Sequence, residues 1–211
     1  QKRNRIRTFS YSGAAVLRHI AHATRRPWSS GLFRWILALV CLPAGLWGQG
    51  IDQSGRVVDP IAQGKGKPVV LIFVRTDCPI SHRYAPEIRR IGEKYAGKAE
   101  FWLVYPSRSD SADVIVKDAK DYEYNLRTLR DPEQALVKKA KAQITPEAAV
   151  FDQKGALVYH GRIDDWYVGF GRAKAKATTH ELEDAVQAAI AGRAVAQAET
   201  KAVGCYISDL R

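Results

Sequence analysis

Residues 69–81 read VVLIFVRTDCPIS. The run Val69–Val74 is continuously apolar and rich in β-branched side chains. Continuous rather than alternating hydrophobicity is typical of a strand that is buried on both faces in the middle of an α/β sheet. Pro79 suits the first position of a helix, so the sequence predicts that Cys78 occupies or adjoins the N-cap of a helix that follows this strand.

Helical and extended patterns alternate on the C-terminal side of Cys78. Apolar residues recur at helical spacing over residues 80–95, and Phe101–Tyr105 is a second apolar strand. A helix is expected over Ser109–Tyr122, capped by Ser109 or Asp110, with Val114, Ile115 and Ala119 facing inward. A short strand is expected between this helix and the next one.

The second half of the chain predicts two more helices around a hairpin. Asp131-Pro132-Glu133 indicates a helix start, with Asp131 as the cap and Pro132 at the first helical position. Two apolar runs, 148–151 and 156–159, flank a Gly-terminated turn and predict an antiparallel hairpin. Residues 178–181 (TTHE) form a capping box before a last helix that Gly192 closes. The order predicts one α/β domain with a mixed sheet, parallel in its β-α-β half and antiparallel in its C-terminal hairpin.

Cys78 is the residue most suited to carry chemistry. At a helix N-cap its sulfur faces unpaired backbone N–H groups and the positive end of the helix dipole, which favour the reactive thiolate. The alternative interpretation is a free, buried cysteine of the core. The position at the end of a strand favours the functional interpretation.

The order of elements and the motif at Cys78 resemble the thioredoxin superfamily, and within it the exported bacterial redoxins related to AhpC/TSA peroxiredoxins and thiol reductases. The resemblance covers residues 68–192. Ile144-Thr145-Pro146, directly before the hairpin, is similar to the cis-proline loop of that family. The resemblance implies a thioredoxin-like fold in which a cis Pro146 packs opposite Cys78 and Thr145 contacts the substrate backbone.

The resemblance also implies the substrate class. Thr76 and Ser81, which flank Cys78, are expected to bind substrate together with Thr145 and Pro146. The substrate is expected to be a protein thiol or disulfide, or a peroxide. Neither an organic cofactor nor a metal is expected.

Around Cys78 the sequence differs from the motifs of both dithiol thioredoxins and peroxiredoxins. Ser81 stands where a dithiol thioredoxin has its second cysteine, so the site cannot close a local disulfide. Leu71 and Arg75 stand where a peroxiredoxin has Pro and Thr, and residues 143–149 contain no Arg. A peroxidase is therefore the second interpretation, after a thiol–disulfide oxidoreductase.

Cys205 is the other cysteine of the expected exported part. As a catalytic residue it would resolve the adduct formed on Cys78; the alternatives are a permanent structural bridge or pairing between chains. His82 lies four residues after Cys78, a spacing that can begin a metal site. A non-catalytic binding or copper-handling module is therefore a third interpretation, and the oligomeric state is left open.

The N-terminal region differs in charge from the rest of the chain. Residues 1–50 hold eight of the 33 Lys and Arg residues and none of the 22 Asp and Glu residues, which leaves the remainder with a net charge of only +3. Nucleic-acid binding is therefore excluded as an interpretation. The apolar run Trp35–Leu46 between Arg34 and a small-residue exit predicts a signal peptide, cleaved near Gly48–Gln49, and export to the periplasm or beyond.

The domain division follows from these patterns. Residues 1–48 are predicted to form the leader, residues 49–193 a redoxin domain, and residues 194–211 a tail that carries Cys205. Contact with a membrane is expected only if the leader stays uncleaved.

Overall fold

The computed structural model describes residues 48–208. The helices in this range are α1 (Pro79–Lys94), α2 (Ala112–Asp121), α3 (Ala135–Ala140) and α4 (Glu181–Ile190). The strands in it are β1 (Gly50–Ile51), β2 (Val57–Val58), β3 (Val69–Phe73), β4 (Glu100–Tyr105), β5 (Arg127–Arg130), β6 (Ile144–Thr145), β7 (Glu147–Phe151), β8 (Leu157–Gly161), β9 (Tyr167–Gly169), β10 (Arg172–Ala173) and β11 (Cys205–Tyr206).

Seven strands form the central sheet, in the order β2-β1-β5-β4-β3-β7-β8. Strands β3, β4 and β5 run parallel, whereas β7 and β8 are antiparallel to their neighbours. The predicted α/β fold, with a parallel half and an antiparallel C-terminal hairpin, is confirmed. The pairs β9–β10 and β6–β11 lie outside this sheet.

Strand β3 is buried on both faces, as its sequence predicts. Successive side chains of a strand point to opposite faces. Val70 and Ile72 join a core that includes buried residues of α1 and α4. Leu71 and Phe73 join a second core with Leu136 of α3. Helices therefore cover both sides of the strand that leads to Cys78.

Helix α1 begins as predicted, with Cys78 as the N-cap and Pro79 at the start. Its apolar positions at helical spacing are buried: Ile80, Tyr84, Ile88 and Ile91. Burial of this face fixes the helix against the sheet, because each fully buried side chain of this size contributes about 1.5–3 kcal/mol. The N-cap is consequently held at the C-terminal end of β3, a strand inside the sheet.

Helix α2 begins later than the sequence predicts. The N-cap is Ser111, whose hydroxyl accepts a hydrogen bond from the Val114 amide at 3.3 Å, so the prediction of Ser109 or Asp110 is wrong. This frame leaves Ile115 buried but turns Val114 outward, with 46% of its surface exposed. The predicted inward position of Val114 is therefore wrong as well.

Helix α3 does not begin at Pro132. Gln134 has a positive φ of 56°, which interrupts the helix between Pro132 and Ala135. Asp131 still satisfies the first turn, because its carboxylate accepts hydrogen bonds from the amides of Ala135 at 2.8 Å and Val137 at 2.9 Å. Asp131 therefore caps the helix although it lies three residues before the N-cap residue, Gln134.

The predicted capping box of α4 is not formed. The N-cap is His180, without a side-chain capping bond. The hydroxyl of Thr178 donates to Asp165 instead, and the hydroxyl of Thr179 donates to Glu181 at 2.7 Å. Asp165 thus competes successfully for the side chain that the pattern assigns to the helix.

The structure bears on the predicted signal peptide and on membrane contact only within the described range. The apolar run Trp35–Leu46 and its proposed cleavage lie outside the residues that the structure describes, apart from Gly48 and Gln49. Within residues 48–208, none of the helices combines the length and apolar character that crossing a membrane requires.

Candidate active site around Cys78

Cys78 lies at the junction of the central strand and α1. Its side chain is 0% exposed, and it belongs to the core formed with α1 and α4. The thiol donates a hydrogen bond to the backbone carbonyl of Thr145 at 3.2 Å. The sulfur is therefore held at the helix N-terminus and faces the loop before β7.

That loop contains the predicted cis proline. The Thr145–Pro146 peptide bond is cis, and both residues are buried. Glu147 follows directly, and its carboxylate accepts hydrogen bonds from the amides of Gln143 at 2.8 Å and Ile144 at 3.1 Å. The loop is thus held from both sides, and it presents the Thr145 carbonyl to Cys78.

The C-terminal tail places Cys205 at the same loop. Strand β11 pairs antiparallel with β6, and Cys205 lies opposite Thr145 in the register. The hydroxyl of Thr145 donates to the Cys205 carbonyl at 3.3 Å. Since the Thr145 carbonyl is itself in contact with Cys78, both cysteines are neighbours of Thr145.

Interactions with neighbours set the pKa of Cys78. Burial opposes its thiolate, but hydrogen bonds to the sulfur from the Cys205 thiol and from the Ser81 hydroxyl and amide outweigh burial, so the pKa of Cys78 is lowered. The buried Ser81 hydroxyl is engaged by no other group among the described residues, because it has no hydrogen-bond partner within normal bonding geometry, and it is therefore available to a Cys78 thiolate. Cys78 is thus the thiol that ionises more readily.

The same contact has the opposite effect on Cys205. Burial and the hydrogen bond that its thiol makes to Cys78 raise the pKa of Cys205 to about 12. Cys205 is only half-buried, and both cysteines are free thiols in the described chain. The pKa values of the two thiols are thus shifted in opposite directions, and Cys78 is the one that loses its proton more readily.

The residues expected to bind substrate have different environments. Thr145 and Ser81 lie at Cys78, and Pro146 follows Thr145 through the cis peptide bond. Thr76 is two residues before Cys78, and its hydroxyl donates to Asp110 at 3.1 Å. Its side chain is therefore engaged with the loop before α2.

Three further residues, which the sequence motifs did not mark as contacts, also support the site. Tyr124 donates to the Ser81 carbonyl at 3.0 Å, and Arg75 donates to the Tyr206 carbonyl at 3.1 Å. Glu147 holds the cis-proline loop. The sequence signal available for Glu147 was an acidic residue directly before the apolar run 148–151.

His82 faces a different set of partners. Its Nε2 lies 2.9 Å from a carboxylate oxygen of Asp118, and its ring stacks on Tyr122 with 3.7 Å between centroids. The described residues contain one group of three potential metal ligands, Glu87, Asp164 and His180. That group includes neither cysteine, so nothing in it extends the Cys78–His82 spacing into a metal centre.

A cavity of about 720 Å³ opens beside Cys205. Its walls include apolar side chains of the tail and of the β9–β10 hairpin, among them Val203, Tyr206, Val168 and Phe170. Phe170 and Tyr206 are largely exposed. The cavity leads from solvent to the outer side of the thiol pair.

The fold and the paired thiols define a redoxin with a thioredoxin-like fold. A model of the AhpC/TSA family matches residues 48–160, more than half of the chain. The chain belongs to the AhpC/TSA family. No curated protein sequence matches it.

Solved structures show the same fold. A hypothetical protein from Sinorhizobium meliloti 1021 is 23% identical with a TM-score of 0.65, covering 75% of this chain and 88% of its own. An uncharacterized conserved protein from Geobacillus kaustophilus is also 23% identical, with a TM-score of 0.66 and coverage of 78% and 91%. MTB dsbF, solved in its mixed oxidized and reduced forms, is 18% identical with a TM-score of 0.50 and coverage of 66% and 92%.

Proposed function

We propose that this protein is an exported thiol–disulfide oxidoreductase in which Cys78 is the nucleophile and Cys205 the resolving thiol. The observation that carries the proposal is the register of β11 on β6. It sets Cys205 opposite Thr145, whose carbonyl lies 3.2 Å from the Cys78 sulfur. Thr145 and Pro146 shape the surface at which substrate meets Cys78, with Thr76 and Ser81 beside it.

The first step is attack by the Cys78 thiolate on a disulfide. A bond forms between Cys78 and one substrate sulfur, and the other substrate sulfur leaves as a thiolate that takes up a proton. The lowered pKa of Cys78 supplies the attacking thiolate. The hydrogen bonds that lower this pKa come from groups of the protein, so the site is prepared before substrate arrives.

The second step frees the substrate. Once Cys78 is in a mixed disulfide it carries no negative charge, so its contribution to the raised pKa of Cys205 disappears. The Cys205 thiol can then ionise and attack the Cys78 sulfur, which expels the bound half of the substrate and closes a Cys78–Cys205 disulfide. An external dithiol returns the protein to its reduced form.

The proposal includes export and the division of the chain. Residues 1–48 serve as a leader, residues 49–193 as the redoxin domain and residues 194–211 as the tail that carries Cys205. Export supplies the oxidising compartment in which such a pair works. Intact mass spectrometry of the natural protein is expected to find a chain that starts near Gln49; retention of Trp35–Leu46 would show a membrane anchor instead.

Two serine variants test the chemistry. With dithiothreitol as reductant and a disulfide substrate, Cys78→Ser is expected to abolish turnover. Cys205→Ser is expected to slow it at least about tenfold and to accumulate a mixed disulfide on Cys78, because no second thiol resolves the adduct. Non-reducing gels and intact mass report the adduct. Normal turnover of Cys205→Ser without an adduct would disprove the resolving role.

A parallel assay separates the peroxidase alternative. The same proteins are given hydrogen peroxide with the same dithiol, and peroxide consumption is measured. We expect peroxide consumption to be much slower than disulfide reduction. Fast peroxide consumption that depends on Cys78, with no disulfide reduction, would favour a peroxidase.

A further inference from the structure

Among the described residues, strand β6 offers a strand edge beside Cys78 along which an extended polypeptide could pair. An unpaired strand edge binds extended chains through backbone hydrogen bonds, and this is a common mode of peptide recognition. Thr145 of β6 is in direct contact with the Cys78 sulfur. A disulfide within a polypeptide would therefore reach Cys78 most readily with its backbone laid along β6.

The tail of this chain already occupies that edge. Within residues 48–208, β6 pairs with β11 and with no other strand. Beyond the pairing, Ile207 donates from its amide to the Gln143 carbonyl at 2.9 Å and is buried in the core on the α3 side. Gln134 holds the Ser208 carbonyl at 2.8 Å. The tail is thus anchored immediately after Cys205.

Gly204 allows this close approach. A Cβ atom at position 204 would lie 2.0 Å from the Thr145 carbonyl oxygen, a backbone atom that cannot move aside. Any side chain at position 204 therefore conflicts with docking of β11. A substitution at Gly204 therefore disturbs docking without changing a thiol.

We infer that strand β11 makes Cys78 selective for low-molecular-weight disulfides, because the docked tail occupies the edge that a polypeptide disulfide would need. The inference rests on the proposed function and names its substrate class. A small disulfide can enter the cavity beside the half-buried Cys205. To reach Cys78 from there, it needs only the Cys205 side chain to turn aside. A polypeptide must first displace β11 and its anchors.

The reaction balances with the two thiols of this chain. The Cys78 thiolate attacks RS–SR, forming Cys78–S–SR and releasing RS⁻, which is protonated to RSH. Cys205 then loses its proton and displaces the second RS⁻. Two protein thiols are oxidised and one small disulfide is reduced to two thiols.

The first step is measured in a Cys205→Ser background, so that adducts on Cys78 accumulate. Rate constants for adduct formation are compared for bis(2-hydroxyethyl) disulfide and for native insulin, with and without Gly204→Ala. The added substitution is expected to raise the insulin rate about 10- to 100-fold, since one net hydrogen bond is worth up to about tenfold and two hold the tail at this loop, from the Thr145 hydroxyl and from the Ile207 amide. The rate for the small disulfide is expected to change much less. Ser208→Ala is the control in the same tail, because it keeps every backbone contact.

Ile207→Ala provides a second way to release the tail should Gly204→Ala fail to fold. It is expected to raise the insulin rate in the same direction. Equal ratios of the two rates in the background protein and in both variants would overturn the inference while leaving the oxidoreductase intact. Absence of any adduct, with either disulfide and in every variant, would refute the proposed function and the inference with it.

Discussion

At the scale of single residues, the pKa of Cys78 depends on a few donors that the fold brings to its sulfur. Burial alone would raise that pKa, and hydrogen bonds from Cys205 and Ser81 reverse the effect. The balance is local, because each donor is one side chain or amide in contact with the sulfur. Removing one donor should therefore change the ionisation without changing the fold.

Cys205→Ala and Ser81→Ala are each expected to raise the pKa of Cys78, because each removes a hydrogen bond to its thiolate. The ultraviolet absorbance of the thiolate, followed against pH, reports the change. Ser109→Ala, at an exposed serine, is the control and should leave the titration of Cys78 where it is in the native protein. Unchanged titration in both site variants would contradict the assignment of these donors.

Ser81 also offers a test of geometry. Its side chain faces the Cys78 sulfur from the first turn of α1, so a thiol there can close a local disulfide. Adding Ser81→Cys to Cys205→Ser is expected to restore disulfide turnover by at least about tenfold, because resolution becomes a reaction between neighbouring groups. Steady-state turnover with dithiothreitol measures it. If a folded double variant recovers no turnover, a thiol at position 81 cannot attack the adduct on Cys78.

At the scale of elements, Asp131 controls the start of α3. Its carboxylate is buried and caps the first turn, and burial raises its pKa from 3.8 to about 6 despite the amide hydrogen bonds that lower it. A native pKa above the unfolded value means that the folded state binds this proton more tightly. The resulting stabilisation is full below about pH 4 and is lost as the pH rises through about 6.

Asp131→Asn is expected to remove this pH dependence. Between about pH 4 and pH 7, the native protein should lose up to about 3 kcal/mol of unfolding free energy relative to the variant. Urea unfolding across that range measures the difference. Asp113→Asn, at an exposed position of α2, is the control. Parallel pH profiles for the native protein and Asp131→Asn would show that Asp131 does not titrate as described.

The sequence predicted those elements whose signals are local and failed where distant residues compete. The unit β3–Cys78–α1 was predictable because one run of apolar residues and one proline define it. The helix starts at α3 and α4 were misplaced, because Gln134 adopts a positive φ and Asp165 captures Thr178. Strands β6 and β11 have two residues each and carry no periodic pattern, so their pairing could not be predicted.

At the scale of the whole molecule, the sheet and the tail each position one of the two cysteines of the site. The sheet and α1 bury Cys78 and fix the cis-proline loop, while the tail returns across the molecule to place Cys205 at that loop. The sequence identified both cysteines and the loop as separate candidates. That they meet depends on the path of residues 194–205, for which the sequence has no strong signal.

The pairing of Cys78 with Cys205 is the claim on which the account depends, and a peptide map of the oxidised protein tests it most directly. The protein is oxidised with a small disulfide, digested without reduction and analysed by mass spectrometry. We expect a linked pair of peptides that contain Cys78 and Cys205 of the same chain. Free thiols at both positions after oxidation, or linkage of Cys205 only to another chain, would contradict it.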